Sequence, residues 1–345
     1  MLSDYQFDLP PELIAQEPAA QRDQARLLVI DRTTDDVAES CVRALPDWLQ
    51  PGDLLVVNDT RVIPARLFGR TVTGGAVELL LIHPTEPAPA SSWTCLGKPG
   101  RRLRLGAVLS FADGVSATVV ASPGEGRYIV RFNDRTDVPA LLARHGELPL
   151  PPYIRRPDGP LPFDQARYQT IFATHAGAIA APTAGLHFTP DLVAALRARG
   201  VDVAALTLHV GPGTFLPIRS ADPAQHVMDP EWCNIPEDTA VRIEHVKAAR
   251  GRVIAVGTTT TRALESAADD GGTLRPGPRW ADRFIVPGYR FRVIDALFTN
   301  FHLPGSPLLL LVSAFAGRAR ILDAYATAIR RRYRFYSYGD ATLIL

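Results

Sequence analysis

Between Glu147 and Phe163 the chain reads ELPLPPYIRRPDGPLPF, and its prolines fix φ while removing backbone donors. Such a run suits neither a helix interior nor a central strand, so it reads as an extended strap between two units. Ahead of it, from about residue 65, strand-length segments recur: Val77 to Ile82, Ala107 to Phe111, Val115 to Ala121 and Gly126 to Phe132, parted by Gly, Pro and Asp turns. That spacing predicts an all-β unit, a small barrel or sandwich. Beyond the strap, helix and strand patterns alternate. Thr189-Pro190-Asp191 is a helix start, Gly200 a stop, and Val201 to Val210 alternates like a strand. Pro236 to Arg250 reads as a helix, Arg252 to Gly257 as a buried strand, and Thr258 to Ala268 as a further helix. Near the start, Ala25 to Asp31 and Asp53 to Asn58 read as buried strands, with a polar turn at Thr33 to Asp36. The fold class expected is therefore α/β with two domains. A discontinuous α/β domain would comprise 1–64 and 151–345, with an all-β domain inserted at 65–150.

With 345 residues, 46% hydrophobic and 21% charged, the chain can bury more than one average core and is not of disordered composition. Its longest strongly apolar run, Pro307 to Gly317, is well short of the ~20 residues of a membrane span. The start, MLSDYQFD, lacks a basic segment followed by an apolar one, which predicts no secretory signal and a cytoplasmic protein. Cys41, Cys95 and Cys233 are odd in number and far apart, as core thiols would be; neither a disulfide framework nor a zinc site is expected. Among 37 basic residues only Lys98 and Lys247 are lysines. Arginine forks suit a nucleic-acid partner, yet genomic codon bias produces the same count, so composition alone does not establish RNA binding.

Six segments carry candidate chemistry. Gly257-Thr258-Thr259-Thr260-Thr261-Arg262 lies where a strand gives way to a helix, a place where free N–H groups and the helix dipole attract a carboxylate or phosphate. A plain turn with threonine caps is the alternative. Neither a Gly-x-Gly-x-x-Gly nor a Gly-Lys-Ser/Thr loop is present, so dinucleotide and ATP use are unsupported. His187 in PTAGLHF, His209 in LHVGPGTF and His302 in TNFHLP sit among small residues that allow a ligand to approach, and imidazole exchanges protons near neutral pH. A packed, hydrogen-bonded turn histidine is the commoner outcome for each, and none has the spacing of a metal ligand. Asn58-Asp59-Thr60-Arg61 ends a strand, as a pocket edge or as an Asx turn. Arg330 to Asp340 (RRRYRFYSYGD) interleaves arginines with aromatics, including Tyr338, and suits either an RNA contact or a helix leading into a core strand.

Taken together, LPPELIAQEP, RLLVIDR, PGDLLVVNDTRVIPARLFGR, LPLPPYIRRPD, AAPTAGLHFT, TLHVGPGTFLPIR, RVIAVGTTTTRALES, VPGYRF, DALFTNFHLP, LLVSAFAG and YRFYSYGDA span nearly the whole chain. This combination resembles the S-adenosylmethionine:tRNA ribosyltransferase-isomerase family of queuosine biosynthesis. Two departures stand out: Asp229 occupies a position where that family commonly has histidine, and Thr260-Thr261 replace a Ser-Val pair.

The resemblance implies an open-barrel-like α/β domain carrying an inserted β-barrel. It implies a reaction in which the ribosyl part of S-adenosylmethionine passes to the 7-aminomethyl group of a 7-deazaguanine at the tRNA wobble position. The ribose becomes an epoxycyclopentane, and adenine and methionine leave. Such chemistry needs a base for the proton beside the sulfonium, an acid for adenine and a neutral amine nucleophile. His187, His209 and His302 are the proton-transfer candidates. Substrate-binding candidates are Asn58, Thr60, Arg61, Thr183, Gly185, Gly211, Gly213, Thr214, Gly257, Thr258, Thr259, Thr260, Arg262, Asn300 and Tyr338. No metal and no resident cofactor are expected, S-adenosylmethionine being consumed as a substrate. The expected partner is tRNA, with no membrane, and the chain is expected to act as a monomer. Two other classes compete: a non-catalytic tRNA-binding protein, and an S-adenosylmethionine-dependent RNA methyltransferase, which would usually carry a glycine-rich turn after an early strand.

Overall fold

The structure, a computed structural model, describes every residue except 35, 87–90, 135, 216–217, 219–225 and 227, and the side chains of 214 and 215. The chain divides into two compact units. The larger comprises Met1–Arg61, Pro151–His175 and Ala181–Leu345, and the smaller comprises Val62–Leu150 with Ala176–Ala180.

The larger unit is built on a nine-stranded sheet. From one edge to the other the strands are Gly277–Ala281, Glu231–Ile235, Asp202–Leu208, Leu54–Asn58, Val253–Val256, Ala296–Asn300, Ala341–Ile344, Arg26–Ile30 and Val37–Cys41. The four middle strands, from Asp202–Leu208 to Ala296–Asn300, run parallel to one another. Strands of this kind are covered on both faces, which is why Leu54–Asn58 reads LLVVN and Val253–Val256 reads VIAV, each buried at every position. Leu55, Val57, Ile254, Val256 and Phe298 meet Phe188, Leu192 and Leu196 in one apolar cluster. At the amino-terminal edge the buried carboxylate of Asp53 receives Nε and Nη2 of Arg252 at 3.0 and 2.5 Å, so its charge is paired in a forked geometry.

Local chemistry sets the helices where the sequence predicts them. Thr189 caps Pro190–Ala198 by accepting from the Leu192 amide at 3.1 Å, and Glu237–Ala248 follows Pro236. The apolar run at 307–317 is a buried helix, Pro307–Ala316, capped by Ser306. Among the described residues no helix is long and apolar enough to cross a membrane. Of the turn predicted at Thr33 to Asp36, Asp35 lies outside the described residues.

The smaller unit is a closed six-stranded antiparallel barrel made of Arg66–Thr71, Ala76–Pro84, Ser92–Lys98, Val108–Ser110, Ser116–Gly124 and Arg127–Phe132. Alternation along each strand sends Leu67, Val77, Leu79, Val119, Val130 and Phe132 inward. Two of these strands, Arg66–Thr71 and Ser92–Lys98, were not among the segments predicted above. The first is polar and contains Gly69, where an added Cβ would come within 2.6 Å of the Phe111 ring and 2.8 Å of the Ser110 carbonyl.

The arginine and aromatic run at the C-terminus resolves in favour of the core. Helix Arg318–Arg330 ends within it, and Tyr333, Phe335, Tyr336 and Tyr338 are all buried. The aromatic rings therefore offer no exposed platform on which bases could stack.

Candidate active site

Because the four middle strands are parallel, their carboxyl ends lie along one edge, the usual place for a ligand in an open α/β sheet. That edge carries Asn58 to Thr60, His209 to Gly211, Gly257 to Thr259 and Asn300 to His302. A cleft of about 460 Å³ of empty space, partly open to solvent, opens here. Of the predicted residues it is lined by Thr183, Gly257, Thr258, Thr259, Asn300 and His302. Among the described residues no Asp, Glu, Lys or Arg side chain lines it.

The helix Thr258–Ala267 begins at Gly257, whose φ of +96° and ψ of 153° belong to a region used almost only by glycine. This turn leaves the first helical N–H groups without intrahelical partners, beside the buried side chains of Thr258 and Thr259. The next two threonines face elsewhere. Thr260 donates its hydroxyl hydrogen to the Val256 carbonyl at 2.8 Å and Thr261 to that of Gly257 at 3.1 Å. Thr260 is thus a helix back-bond and not part of the cleft lining, contrary to the expectation for it.

His187 closes the short helical turn Thr183–His187 and is 4% exposed. Asn300 donates to its Nε2 at 3.0 Å, and the imidazole makes a further hydrogen bond to the Arg22 backbone. Burial, then the Arg334 guanidinium, pull its pKa down to about 3. His302, also 4% exposed, shares a 3.3 Å hydrogen bond from Nε2 with the Thr299 hydroxyl, and burial alone lowers its pKa to about 3. His209 is half-buried. It stacks on Trp232 with centroids 4.9 Å apart and shares a 2.8 Å bond from Nδ1 with Thr60. Burial, followed by the charge of His175, brings it down to about 4. All three histidines are therefore neutral at pH 7.

The remaining predicted residues are distributed around this edge. Asn58 donates to the Leu208 carbonyl and accepts from the amides of Leu208 and Thr60, so its amide latches two strand ends together. Thr60 serves His209, whereas Arg61 is exposed. Gly185 packs where an added Cβ would come within 2.9 Å of the Thr170 methyl. Gly211 donates its amide to Glu231 at 2.8 Å, and a Cβ on Gly213 would meet Asp229 Oδ2 at 3.0 Å. Thr214 falls in the turn Pro212–Phe215, but its side chain lies outside the described residues.

Arg262 does not reach the cleft. Its Nη1 pairs with Glu231 at 2.5 Å, and Nε and Nη2 donate to the carbonyls of Arg283 and Ala281, with both charged side chains buried. Tyr338 lines a second cavity beside His187.

Two residues outside the predicted site set also stand out, Asp59 of the strand-end cluster and Glu265 near the far end of the helix Thr258–Ala267. Asp59 accepts from Thr207 at 2.7 Å and lies 3.2 Å from His175 Nδ1. Glu265, wholly buried, accepts from the amides of Arg292, Val293 and Ile294 and from the Tyr289 hydroxyl. Its position inside the helical TTTTRALES segment was the one available hint. Among the described residues no three of His, Cys, Asp and Glu converge as a metal site.

Comparison with known proteins is consistent along the whole chain. The profile of the family described as Queuosine biosynthesis protein matches residues 2–344. The S-adenosylmethionine:tRNA ribosyltransferase-isomerase of Trichlorobacter lovleyi is 50% identical over 100% of both chains. That of Citrifermentans bemidjiense is 52% identical over 99% of each. Among solved structures, the S-adenosylmethionine tRNA ribosyltransferase of Thermotoga maritima aligns with a TM-score of 0.55 and 36% identity, over 99% of this chain and 100% of that one. Matched from end to end in sequence, this chain belongs to the queuosine biosynthesis protein family.

Proposed function

We propose that the chain is an S-adenosylmethionine:tRNA ribosyltransferase-isomerase. It transfers the ribosyl part of S-adenosylmethionine to 7-aminomethyl-7-deazaguanine at the wobble position of tRNA, forms the epoxycyclopentane ring, and releases adenine and methionine. Full-length identity of about half to curated enzymes of that name supports the reading. The observation that carries it is the cleft itself, where a helix N-terminus, two threonines, Asn300 and neutral His302 share a lining without a charged carboxylate or cation among the described residues.

Each part suits the donor. A sulfonium is a permanent cation, and neutral imidazoles neither repel it nor need to lose a proton before accepting one. The Gly257–Thr259 turn offers N–H groups and the positive end of the helix dipole to the methionine carboxylate. In this reading His302 and His209 exchange protons with the reacting ribose, and His187 holds the cleft-lining Asn300 in place. The sulfonium supplies most of the reactivity, so the protein's main task is to hold donor and acceptor together.

The setting proposed is cytoplasmic and monomeric, without a resident cofactor. The barrel at 65–150 is proposed as a domain inserted into the α/β one. The test is mass analysis of nucleosides from tRNA bearing 7-aminomethyl-7-deazaguanine after incubation with the protein and S-adenosylmethionine. The epoxycyclopentane nucleoside with free adenine is expected. S-adenosylhomocysteine in place of adenine would show methyl transfer and overturn the reading.

A further inference from the structure

A second cavity, of about 270 Å³ of empty space, is lined in part by His187 and adjoins the cleft at Ser337. Its polar lining is dominated by Arg22, Arg167 and Tyr338, with Ser337 common to both cavities. The two guanidiniums are half-buried and near enough for the charge of Arg167 to act on Arg22. Burial first, and that like charge second, weaken the hold of Arg22 on its proton.

Neither guanidinium is paired with a carboxylate among the described residues. Arg22 donates to the carbonyls of Leu186 and Ala166 at 3.1 and 3.0 Å. Arg167 donates to those of Ala20 and Ala19 at 3.1 and 2.5 Å, and its buried Nε–H has no partner. Asp164, whose field reaches the Tyr338 hydroxyl, is already held by Nε and Nη2 of Arg156 at 2.8 Å each. Backbone carbonyls orient guanidiniums without neutralising them, so two positive charges remain on one wall of the cavity.

Tyr338 is the independent observation. The side chain is 3% exposed, packs edge-on against Tyr168 and keeps its hydroxyl buried with no hydrogen-bond partner among the described residues. A buried phenol of this kind is normally bonded. Two uncompensated guanidiniums beside an unpartnered O–H match the needs of an oxyanion, which accepts several charge-assisted hydrogen bonds at once.

We infer that Arg22, Arg167 and the Tyr338 hydroxyl form an oxyanion-binding site, distinct from the Gly257 turn, that takes a phosphate or carboxylate of a substrate. The existence of the site is independent of the ribosyl-transfer reading, but the two sources rest on it: a backbone phosphate of tRNA, or the carboxylate of S-adenosylmethionine.

The experiment measures inorganic phosphate, S-adenosylmethionine and tRNA binding to the full chain at constant ionic strength, for the wild type, Tyr338→Phe, Arg167→Lys and Arg167→Gln. Tyr338→Phe has no hydrogen bond to lose, so it keeps or raises its melting temperature, yet at least one probe binds about fivefold more weakly or worse. Arg167→Gln loses more and Arg167→Lys an intermediate amount, because lysine keeps the charge without the planar fork. A loss confined to tRNA assigns the site to phosphate, one confined to S-adenosylmethionine assigns it to the carboxylate, and if both fall the larger loss decides. Loss of phosphate binding alone, in a protein that binds neither substrate, upholds the site and defeats the ribosyl-transfer reading. Unchanged affinity of Tyr338→Phe for all three probes overturns the proposal, even if Arg167→Gln fails to fold.

Discussion

The amide of Asn300 gives one hydrogen to Nε2 of His187 at 3.0 Å and the other to the Tyr336 carbonyl at 3.2 Å, while its oxygen accepts from the Thr183 hydroxyl at 3.0 Å. A carbonyl can only accept, so Tyr336 fixes which end of the amide faces His187. Nε2 must then be the acceptor, and the imidazole carries its proton on Nδ1. Asn300→Asp reverses this pattern, because an ionised carboxylate accepts from His187 and is repelled by the Tyr336 carbonyl. Nitrogen chemical shifts of labelled His187 are expected to show the Nδ1–H tautomer in the wild type and protonation at Nε2 in Asn300→Asp. Turnover should fall at least about tenfold. A wild-type spectrum with Nε2–H would mean that the amide is oriented the other way.

Burial of His187 and His302 has a consequence for acid stability. Their pKa values, about 3 in the folded chain, lie below the ordinary 6.5 of an unfolded one. Between those values the unfolded state binds protons that the folded state does not, so stability falls as pH drops through that window. Above about 6.5 neither state is protonated and the contribution is flat. From pH 7 to pH 5 each histidine lowers the unfolding free energy by on the order of 2 kcal/mol. Urea titrations at the two pH values measure the sum, and His302→Gln should remove its own share of the slope. An unaltered slope in that variant would place His302 in contact with water.

How far such features can be read from sequence depends on how local their causes are. Leu54–Asn58 and Val253–Val256 were legible because burial on both faces requires an unbroken apolar run, and the helix after Thr189 because its cap lies within three residues. The Arg66–Thr71 strand was not. Only Leu67 of its six residues is buried, and Gly69 answers to Phe111, forty-two positions on. The three histidines stood out by their small neighbours, yet what each can do is set at long range. Asn300 lies 113 residues from His187, and Thr60 lies 149 residues from His209. Arg262 misled for the same reason: the motif places it beside a phosphate-binding type of turn, whereas its partner Glu231, 31 residues earlier, turns its charge away from the cleft.

That buried pair makes its own prediction. Glu231 accepts from Arg262 through Oε2 and from the Gly211 amide through Oε1, both side chains being no more than 3% exposed. Removing one partner strands a charge in the interior. Glu231→Ala should therefore cost about 3–5 kcal/mol in equilibrium unfolding, while Glu231→Gln, which keeps an acceptor for Gly211, should cost less. The loop from Leu208 to Gly211 also holds His209, so the Ala variant should weaken turnover beyond its effect on folding, measured at a temperature where the variant remains folded. A loss under 1 kcal/mol would show the pair to be solvated.

The four consecutive threonines after Gly257 allow the binding turn to be dissected without changing its helix. Thr258 and Thr259 line the cleft, whereas the hydroxyls of Thr260 and Thr261 are spent on carbonyls four residues back. Valine has the shape of threonine without the donor, so replacement at either pair removes a comparable group from the same helix. Thr259→Val should weaken S-adenosylmethionine binding about five- to tenfold, as loss of one ligand hydrogen bond does, with little change in stability. Thr260→Val should do the reverse, costing about 1 kcal/mol of stability while the affinity stays within a factor of two. Gly257→Ala combines both effects, since alanine at φ +96° is strained by about 1–3 kcal/mol and relief of that strain moves the first N–H groups of the helix. Calorimetric titration of S-adenosylmethionine beside thermal unfolding reads both quantities for each variant. If Thr260→Val weakened binding as much as Thr259→Val, the helix as a whole rather than its cleft-facing threonines would be what holds the ligand.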